Sequence, residues 1–160
     1  MPDETQEAAG DGRTDDRAIG SLTFQLIVLM NVITKPFNMV HGARHGIALS
    51  EWRCVMWLAA NPGASGQDTA DGIGMDRMSV SRNLRSLERK KMVVRHEDQK
   101  DRKRWNWRLS AAGWAVYDDI LPSAMERDAL LQSDLAPTDR AAVASFLAGA
   151  RQRLDEAGET

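Results

Sequence analysis

Basic side chains are concentrated in one segment of this 160-residue chain. Residues 77–108 contain twelve arginines and lysines and four acidic residues, whereas the rest of the chain contains nine basic and nineteen acidic residues. The formal net charge of −2 therefore hides a cationic segment on an otherwise acidic protein. Ordinary protein surfaces intersperse the two signs, and a concentrated cationic segment attracts the phosphate backbone of nucleic acid. We expect this segment to contact nucleic acid.

The cations begin on a predicted helix that runs from Arg77 to about Lys90, and Asp76 can cap it. Its apolar positions recur at helical spacing and are Val80, Leu84 and Leu87. Arginine can donate two hydrogen bonds to a guanine edge, and serine can reach bases or phosphates in the major groove. The helix residues that we expect to contact DNA are Arg77, Met78, Ser79, Ser81, Arg82 and Arg85.

A charged hairpin follows this helix. Met92–Val94 is a short apolar run and Arg104–Leu109 alternates between apolar and polar residues, so each predicts a strand. The connecting loop, His96–Lys103, has six charged residues among eight and is too polar to be buried. We expect the hairpin to form a wing against DNA. Its predicted contact residues are Lys100, Asp101, Arg102 and Lys103.

Two stretches before the basic helix are predicted to support it. A long apolar helix is predicted over Ser21–Arg44, with a kink or a break near Val32–Lys35 because Pro36 removes a backbone donor. Ser50 is then the predicted cap of a helix over Glu51–Ala60. A short helix over Gly66–Ile73 completes the region before the basic helix.

The C-terminal part is also predicted to be helical. Ser110 can cap a helix from Ala111 through Leu121, where Pro122 can kink it before it continues to about Gln132. Pro137 opens a final helix over Asp139–Leu154. Long apolar helices at both ends have too little of their own chain to cover them, so we expect a second copy to do so.

These elements predict a mainly α fold with a small β-hairpin wing, an α+β winged helix-turn-helix with long N- and C-terminal dimerisation helices. The predicted parts are a disordered tail, an N-terminal dimerisation helix region, a DNA-binding lobe and C-terminal dimerisation helices. In that order they cover residues 1–18, 19–48, 49–110 and 111–155.

Four stretches of the sequence resemble the MarR family of bacterial transcriptional regulators. They are Ser50–Gly63, Asp76–Arg95, Asp98–Lys103 and Leu109–Gly113. The resemblance covers roughly residues 20–155. It implies a homodimer held by its terminal helices, with recognition helices in successive major grooves. It also implies that Arg102 enters the minor groove and that Asp101 orients it.

Three positions depart from the family pattern. Lys91 stands where the family usually has a glycine, so it must take a left-handed conformation or lengthen the helix. Thr69 replaces a common buried leucine, and Lys103 replaces a frequent second arginine. These departures affect the expected helix boundaries and leave the DNA-binding face in place.

The resemblance also implies a pocket for a small effector molecule between the dimerisation helices and the DNA-binding lobe. Aromatic rings there could stack on an aromatic ligand, and a cation could pair with its carboxylate. The candidate ligand-binding residues are Phe37, His41, Arg44, Trp52, Arg53 and Met56. Core packing explains most of these residues equally well.

Metal and thiol chemistry have weaker support. His41 and His45 are four residues apart, but glycines weaken the helix and Glu51 is the only obvious third ligand, so no metal site and no cofactor are predicted. Cys54 is the only cysteine and lies in an apolar segment. We expect it to be a buried small hydrophobe rather than an oxidation sensor.

Catalytic motifs and membrane segments are not found in the sequence. It has no nucleophile elbow, phosphate-cradling glycine loop or HExxH pattern, so we expect no enzyme activity. The longest apolar run has seven residues and the N-terminus does not resemble an export signal, so a cytoplasmic location is expected.

The favoured interpretation is a homodimeric DNA-binding transcriptional regulator, a repressor released by a small aromatic ligand. Its partners would be double-stranded operator DNA, a second copy of the chain and the effector. The alternatives are a regulator that responds to zinc or thiol oxidation, and a winged-helix module that binds an acidic protein.

Overall fold

The computed structural model describes residues 16–97 and 105–158. Contacts divide the chain into two compact units, Met1–Lys35 and Pro36–Thr160. Most of the predicted disordered tail and the tip of the predicted wing lie outside the described residues. Within the described part, no helix combines the length and apolar character needed to span a membrane.

Helix α1 covers Leu22–Pro36, and none of its residues is buried. The Ser21 hydroxyl accepts a hydrogen bond from the Phe24 amide at 3.2 Å and so caps its first turn. The helix does not break at Val32–Lys35, because α1 stays helical through Pro36. The irregularity follows the proline instead, where the missing amide is succeeded by a π-helical turn.

The π-helical turn covers Phe37–His41 and leads into the one-turn helix α2, Gly42–His45. The Gly42 amide donates to the Phe37 carbonyl, five residues back, as this wider turn requires. The single predicted helix over Ser21–Arg44 is therefore three consecutive helical segments.

Helix α3 covers Leu49–Ala60 and begins earlier than predicted. Its cap position is Ala48, not Ser50, because the Glu51 carboxylate accepts a hydrogen bond from the Ala48 amide at 2.7 Å. The Ser50 hydroxyl instead donates to the Asn83 side-chain oxygen at 3.3 Å.

Helices α4 and α5 form the predicted helix-turn-helix. Helix α4 covers Gly66–Ile73, as predicted, and its buried Thr69 donates a hydroxyl hydrogen bond to the Ser65 carbonyl at 2.8 Å. Helix α5 covers Arg77–Arg89, and Asp76 caps it by accepting from the Ser79 amide at 2.8 Å. Lys91 takes the left-handed conformation, with φ of 60°, directly after this helix.

The sheet has three antiparallel strands in the order β1-β3-β2, not the two that were predicted. They are β1 at Ala64–Ser65, β2 at Val93–Glu97 and β3 at Trp105–Leu109. Strand β1 is too short to show an alternating pattern in sequence, and it pairs with the centre of β3. Strand β2 extends two residues into the predicted loop, and Val93 lies opposite Leu109.

Helix α6 covers Ala111–Leu131 as one helix that includes Pro122, and α7 covers Pro137–Glu156. The Ser110 hydroxyl accepts from the Gly113 amide at 3.1 Å, which confirms the predicted cap of α6.

The core joins α3, α4, α5, the sheet and α6. Its fully buried side chains with the largest volumes are Val55, Leu58, Thr69, Val80, Leu84, Leu87, Val93 and Ile120, together with Cys54. By contrast, α7 has no buried residue. Its exposed large apolar side chains are Val143, Phe146, Leu147 and Leu154.

Candidate nucleic-acid interface

Helix α5 has one buried face and one basic face. The apolar residues Val80, Leu84 and Leu87 are buried against the core. The remaining surface is cationic, with Arg77, Arg82, Arg85 and Arg89 all exposed. Met78 is 70% exposed, although methionine is usually an interior residue. All six helix residues predicted to contact DNA therefore lie on or beside the solvent-facing part of α5, with Ser79 and Ser81 half-buried.

The leading turn of α5 is held by its own side chains. The Ser79 hydroxyl and amide donate hydrogen bonds to Asp76 and hold the pKa of that carboxyl below its usual value. The Arg82 guanidinium donates to the Ser79 hydroxyl oxygen at 3.1 Å. Asp76 therefore caps the first turn of α5, and the Arg82 side chain extends back toward Ser79 in that turn. The N-terminus of a helix favours an anion.

A groove runs between α5, the start of α4 and the sheet. Its walls include Arg77, Ser81 and Arg85 from α5, Gln67 from α4, and Arg95 and Trp105 from the strands. The sequence prediction missed Arg95, Trp105 and Gln67. Continuing the strand pattern two residues past Val94 would have shown that Arg95 lies on the sheet.

Arg95 occupies a defined position in this groove. Its Nε lies 2.9 Å from a carboxylate oxygen of Glu88, and its guanidinium lies 4.5 Å from the centre of the Trp105 ring. The ion pair connects β2 to α5, and the ring contact connects β2 to β3. A cation is thereby fixed between the helix and the wing.

The four wing residues predicted to contact DNA, Lys100, Asp101, Arg102 and Lys103, lie outside the described residues. The strands on either side of them, β2 and β3, pair from Val93 opposite Leu109 to Glu97 opposite Trp105. Contact of the wing tip with DNA stays a prediction.

An ion pair between exposed Lys90, which follows α5, and buried Glu51 connects the end of α5 to α3. Nζ of Lys90 lies 2.7 Å from both carboxylate oxygens of Glu51, which is buried. Burial by itself would raise the pKa of Glu51, but hydrogen bonds from Lys90, Ser86 and the Ala48 amide outweigh it and lower the pKa. The carboxylate therefore stays charged and fixes the orientation of α5 relative to α3.

Aromatic rings from three segments form a cluster on the other side of α3. The Phe37 and Trp52 rings stack with centres 6.2 Å apart, and the Trp52 ring lies 5.8 Å from that of Tyr117. Trp114 meets Tyr117 edge-on at 5.5 Å. The structure thus brings together the predicted residues Phe37 and Trp52, and it adds two rings of α6 that the sequence did not indicate.

The other predicted ligand-binding residues lie differently. The ring of His41 lies 6.4 Å from that of Phe37. Nη1 of Arg44 lies 3.2 Å from Oδ2 of Asp119, so the Arg44 guanidinium forms an ion pair with an acid of α6. In the described part of the chain, no ring contact or ion pair connects Arg53 or Met56 to the aromatic cluster. Glu51, the only third ligand that the sequence offered beside His41 and His45, pairs with Lys90, and Asp119 lies beside the two histidines.

Cys54 is fully buried in α3, as predicted. Burial raises the pKa of its thiol to about 11, against a smaller opposing effect of a hydrogen bond with Asn83. A thiol with such a pKa is almost entirely protonated at neutral pH, and the thiolate is the form that oxidants attack.

Comparison with solved structures finds the same fold in several regulators. A MarR/EmrR family transcriptional regulator from Acinetobacter sp. ADP1 is 24% identical, with a TM-score of 0.76, covering 90% of this chain and 99% of that chain. NadR in complex with 4-hydroxyphenylacetate is 24% identical, with a TM-score of 0.72 and coverage of 94% and 97%. A mutant of MepR from S. aureus bound to an oligodeoxyribonucleotide is 20% identical, with a TM-score of 0.55 and coverage of 84% and 98%.

Sequence comparison finds one family model that matches part of the chain. A search of curated proteins found no match. Residues 45–104, which run from the end of α2 through the helix-turn-helix to the start of β3, match the sequence model of the MarR family. Over this segment, which is less than half of the chain, the sequence is similar to the MarR family.

Proposed function

We propose that this protein is a homodimeric transcriptional regulator that binds double-stranded operator DNA. The observation that carries the proposal is the exposed arginine face of α5, which lies opposite a fully buried apolar face. The major groove is about 12 Å wide and admits one α-helix, whose side chains then reach the base edges. Helix α5 has the shape, the charge and the rigid support for this position.

The groove beside α5 supports the same function. Arg77, Arg85 and Arg95 line it together, so a phosphate backbone crossing between helix and wing would meet three cations. The solved structure of a MepR mutant with this fold is bound to an oligodeoxyribonucleotide. In the proposed complex, Arg102 enters the minor groove and Asp101 orients it, while α5 reads the major groove.

Self-association is proposed from the exposed apolar side chains of the C-terminal helices. Phe146 and Leu147 of α7 are 43% and 49% exposed, and Leu130 of α6 is 69% exposed. Monomeric proteins rarely leave large apolar surfaces uncovered, and in a two-fold dimer the same surface of both copies is buried. A dimer would place its two copies of α5 about 34 Å apart, which suits a pseudo-palindromic operator.

The dimerisation helices are connected to the DNA-binding lobe. The Arg151 guanidinium on α7 donates to the carbonyl of Gly72 at 3.0 Å and to that of Asp71, at the end of α4. A change in how two copies pack would therefore reach the helix-turn-helix directly. The proposed division is residues 19–48 and 111–155 for dimerisation and residues 49–110 for DNA binding.

Control by a small aromatic ligand is the proposed mode of regulation. The NadR relative was crystallised with 4-hydroxyphenylacetate. Phe37, Trp52 and Tyr117 supply rings for stacking, and Arg44 can exchange Asp119 for a ligand carboxylate. A ligand that binds better to a dimer with wrongly spaced copies of α5 would release DNA, so the protein would act as a repressor.

A salt titration tests this function against the winged-helix protein-binding alternative. A footprint on DNA flanking the protein's own gene defines the operator, and binding to it and to random DNA is then measured at increasing salt. We expect both affinities to fall steeply with salt while the operator keeps an advantage of at least about a thousandfold. Equal affinity for both DNAs, or no binding at low salt, would exclude a sequence-specific regulator.

A further inference from the structure

A cluster of three potential metal ligands lies away from the basic face of α5. His41 ends the π-helical turn, His45 ends α2 and Asp119 belongs to α6. One ring nitrogen of each histidine and one carboxylate oxygen of Asp119 all lie within 4.8 Å of one another. Nε2 of His45 is 2.8 Å from Oδ2 of Asp119. Two separate stretches of chain therefore bring three ligand atoms into one small volume.

The ion pairs of this cluster do not account for the position of His41. Its Nδ1 is buried and has no hydrogen-bond partner among the residues that the structure describes. A buried polar atom without a partner has lost its hydration, and such atoms are rare in folded proteins. The pair between His45 and Asp119 leaves this atom unsatisfied, so His41 has a ring nitrogen that can bind a further group.

We propose that His41, His45 and Asp119 bind one Zn²⁺ ion. Two imidazoles and one carboxylate are typical of zinc sites with three protein ligands, in which the fourth position is open to water or another donor. Imidazole suits late first-row divalent metals, whereas Mg²⁺ and Ca²⁺ prefer oxygen ligands. This inference goes beyond the proposed function and does not rest on it, because the binding needs no DNA.

The distances suit this ion. Ligand atoms of tetrahedral zinc lie about 2.0–2.2 Å from the metal, so neighbouring ligand atoms are about 3.4 Å apart. The separations here run from 2.8 Å, for His45 and Asp119, to no more than 4.8 Å. Side-chain rotations are therefore sufficient to bring the three ligands to the metal. A bound ion would connect the π-helical turn and α2 to α6.

Arg44 is the group that opposes metal binding. Its Nη1 lies 3.2 Å from the same Asp119 oxygen that contacts His45, and a guanidinium repels a cation. The Arg44 side chain is 62% exposed, so it can move into solvent when an ion binds. Removing its charge should therefore strengthen zinc binding. A cluster that served only as an ion pair would not gain a zinc site from this substitution.

Calorimetric titration of the full chain with ZnCl₂ tests the proposal. We expect one Zn²⁺ per chain, at least about tenfold weaker binding for His45→Gln and for Asp119→Asn, and tighter binding for Arg44→Gln. Two matched controls should bind as the wild type does. Asp118→Asn changes the adjacent acid of α6, and His96→Gln removes the one histidine outside the cluster.

Thermal unfolding with and without metal separates lost ligands from damaged folding. Zn²⁺ should raise the Tm of the wild type by mass action and raise the Tm of His45→Gln and Asp119→Asn by less, and MgCl₂ should raise none of them. A wild type that binds no Zn²⁺ would overturn the proposal. Binding that persists undiminished in both variants would also overturn it, because the ion would then lie elsewhere.

Discussion

Lys90, the residue that follows helix α5, forms an ion pair with Glu51 of α3. Nζ of Lys90 is 2.7 Å from each oxygen of the Glu51 carboxylate. The Glu51 side chain is 5% exposed and the Lys90 side chain 32% exposed, so only the lysine can reach water if the pair breaks. Because of this difference in exposure, replacing the lysine and replacing the glutamate should lower the free energy of unfolding by different amounts.

We predict that Lys90→Met destabilises the fold more than Glu51→Gln does at pH 7. The first leaves a buried carboxylate without its partner, at a cost of about 3 kcal/mol, whereas the second leaves a lysine that can be hydrated, at a cost of about 1–2 kcal/mol. Urea unfolding measures both, with the exposed Glu126→Gln of α6 as the control. Equal losses for Lys90→Met and Glu51→Gln would contradict the asymmetry.

The same pair predicts a pH dependence. The pKa of Glu51 is lower in the folded protein than its usual value, so the ion pair stabilises fully above the unfolded-state pKa, about 4.3. That contribution is lost as the pH falls through the lower folded-state pKa. Unfolding free energies measured from pH 7 to pH 3 should therefore fall less steeply for Glu51→Gln than for the wild type. Parallel curves would show that Glu51 does not contribute.

Two glycine substitutions are predicted to act in opposite directions. A Cβ on Gly113 would clash with the backbone carbonyl oxygen of Met92, so Gly113→Ala should cost about 2 kcal/mol or more. A Cβ on Gly149 in α7 would meet only the end of the flexible Arg153 side chain, at 3.1 Å. Gly149→Ala should therefore stabilise by up to about 1 kcal/mol, because alanine favours helix. Thermal unfolding of both variants checks the signs, and a stabilising Gly113→Ala would refute the close approach.

Cys54 is predicted to be unreactive in the folded protein. Because burial raises the pKa of its thiol to about 11, labelling by iodoacetamide at pH 7.5 should require unfolding in denaturant. Operator binding after peroxide treatment should be the same for the wild type and for Cys54→Ser. Rapid labelling of the native chain, or a peroxide effect that Cys54→Ser abolishes, would support a thiol sensor instead.

The apolar side chains of α7 are predicted to hold the dimer. Leu147→Glu places a charge on a side chain that is 49% exposed in the single chain, and it should convert a dimer into monomers. Val94→Glu makes the same change at a 40% exposed position on β2, where no dimer contact is proposed, and should leave the dimer intact. Sedimentation at micromolar concentration measures both. A monomeric wild type, or a Leu147→Glu dimer, would exclude α7 as the interface.

Local signals were enough to predict the helix-turn-helix. Asp76 caps α5 and the stripe through Val80, Leu84 and Leu87 fixes its buried face, so the bounds of α5 agree to within one residue. Lys91 took one of the two expected conformations, the left-handed one. Capping and helical periodicity involve neighbours within a few residues, and a single sequence contains that information.

Contacts between distant segments could not be predicted in the same way. Strand β1 has two residues and exists because β3 pairs with it, and Tyr117 joins Trp52 only once α6 packs on α3. Distant contacts also decide which acid lies beside His45. Lys90, 39 residues from Glu51 in sequence, binds the Glu51 carboxylate, and Asp119 of α6 contacts His45.

The central claim is that the exposed arginine face of α5 binds operator DNA. Fluorescence anisotropy with the footprinted operator and with a mutated operator tests it most directly, for Arg82→Ala and for the control Arg153→Ala on α7. We predict that Arg82→Ala loses about 1–3 kcal/mol of operator affinity and narrows the gap between the two DNAs, while Arg153→Ala binds as the wild type does. Full operator affinity in Arg82→Ala, and in Arg77→Ala and Arg85→Ala measured alongside it, would contradict the claim.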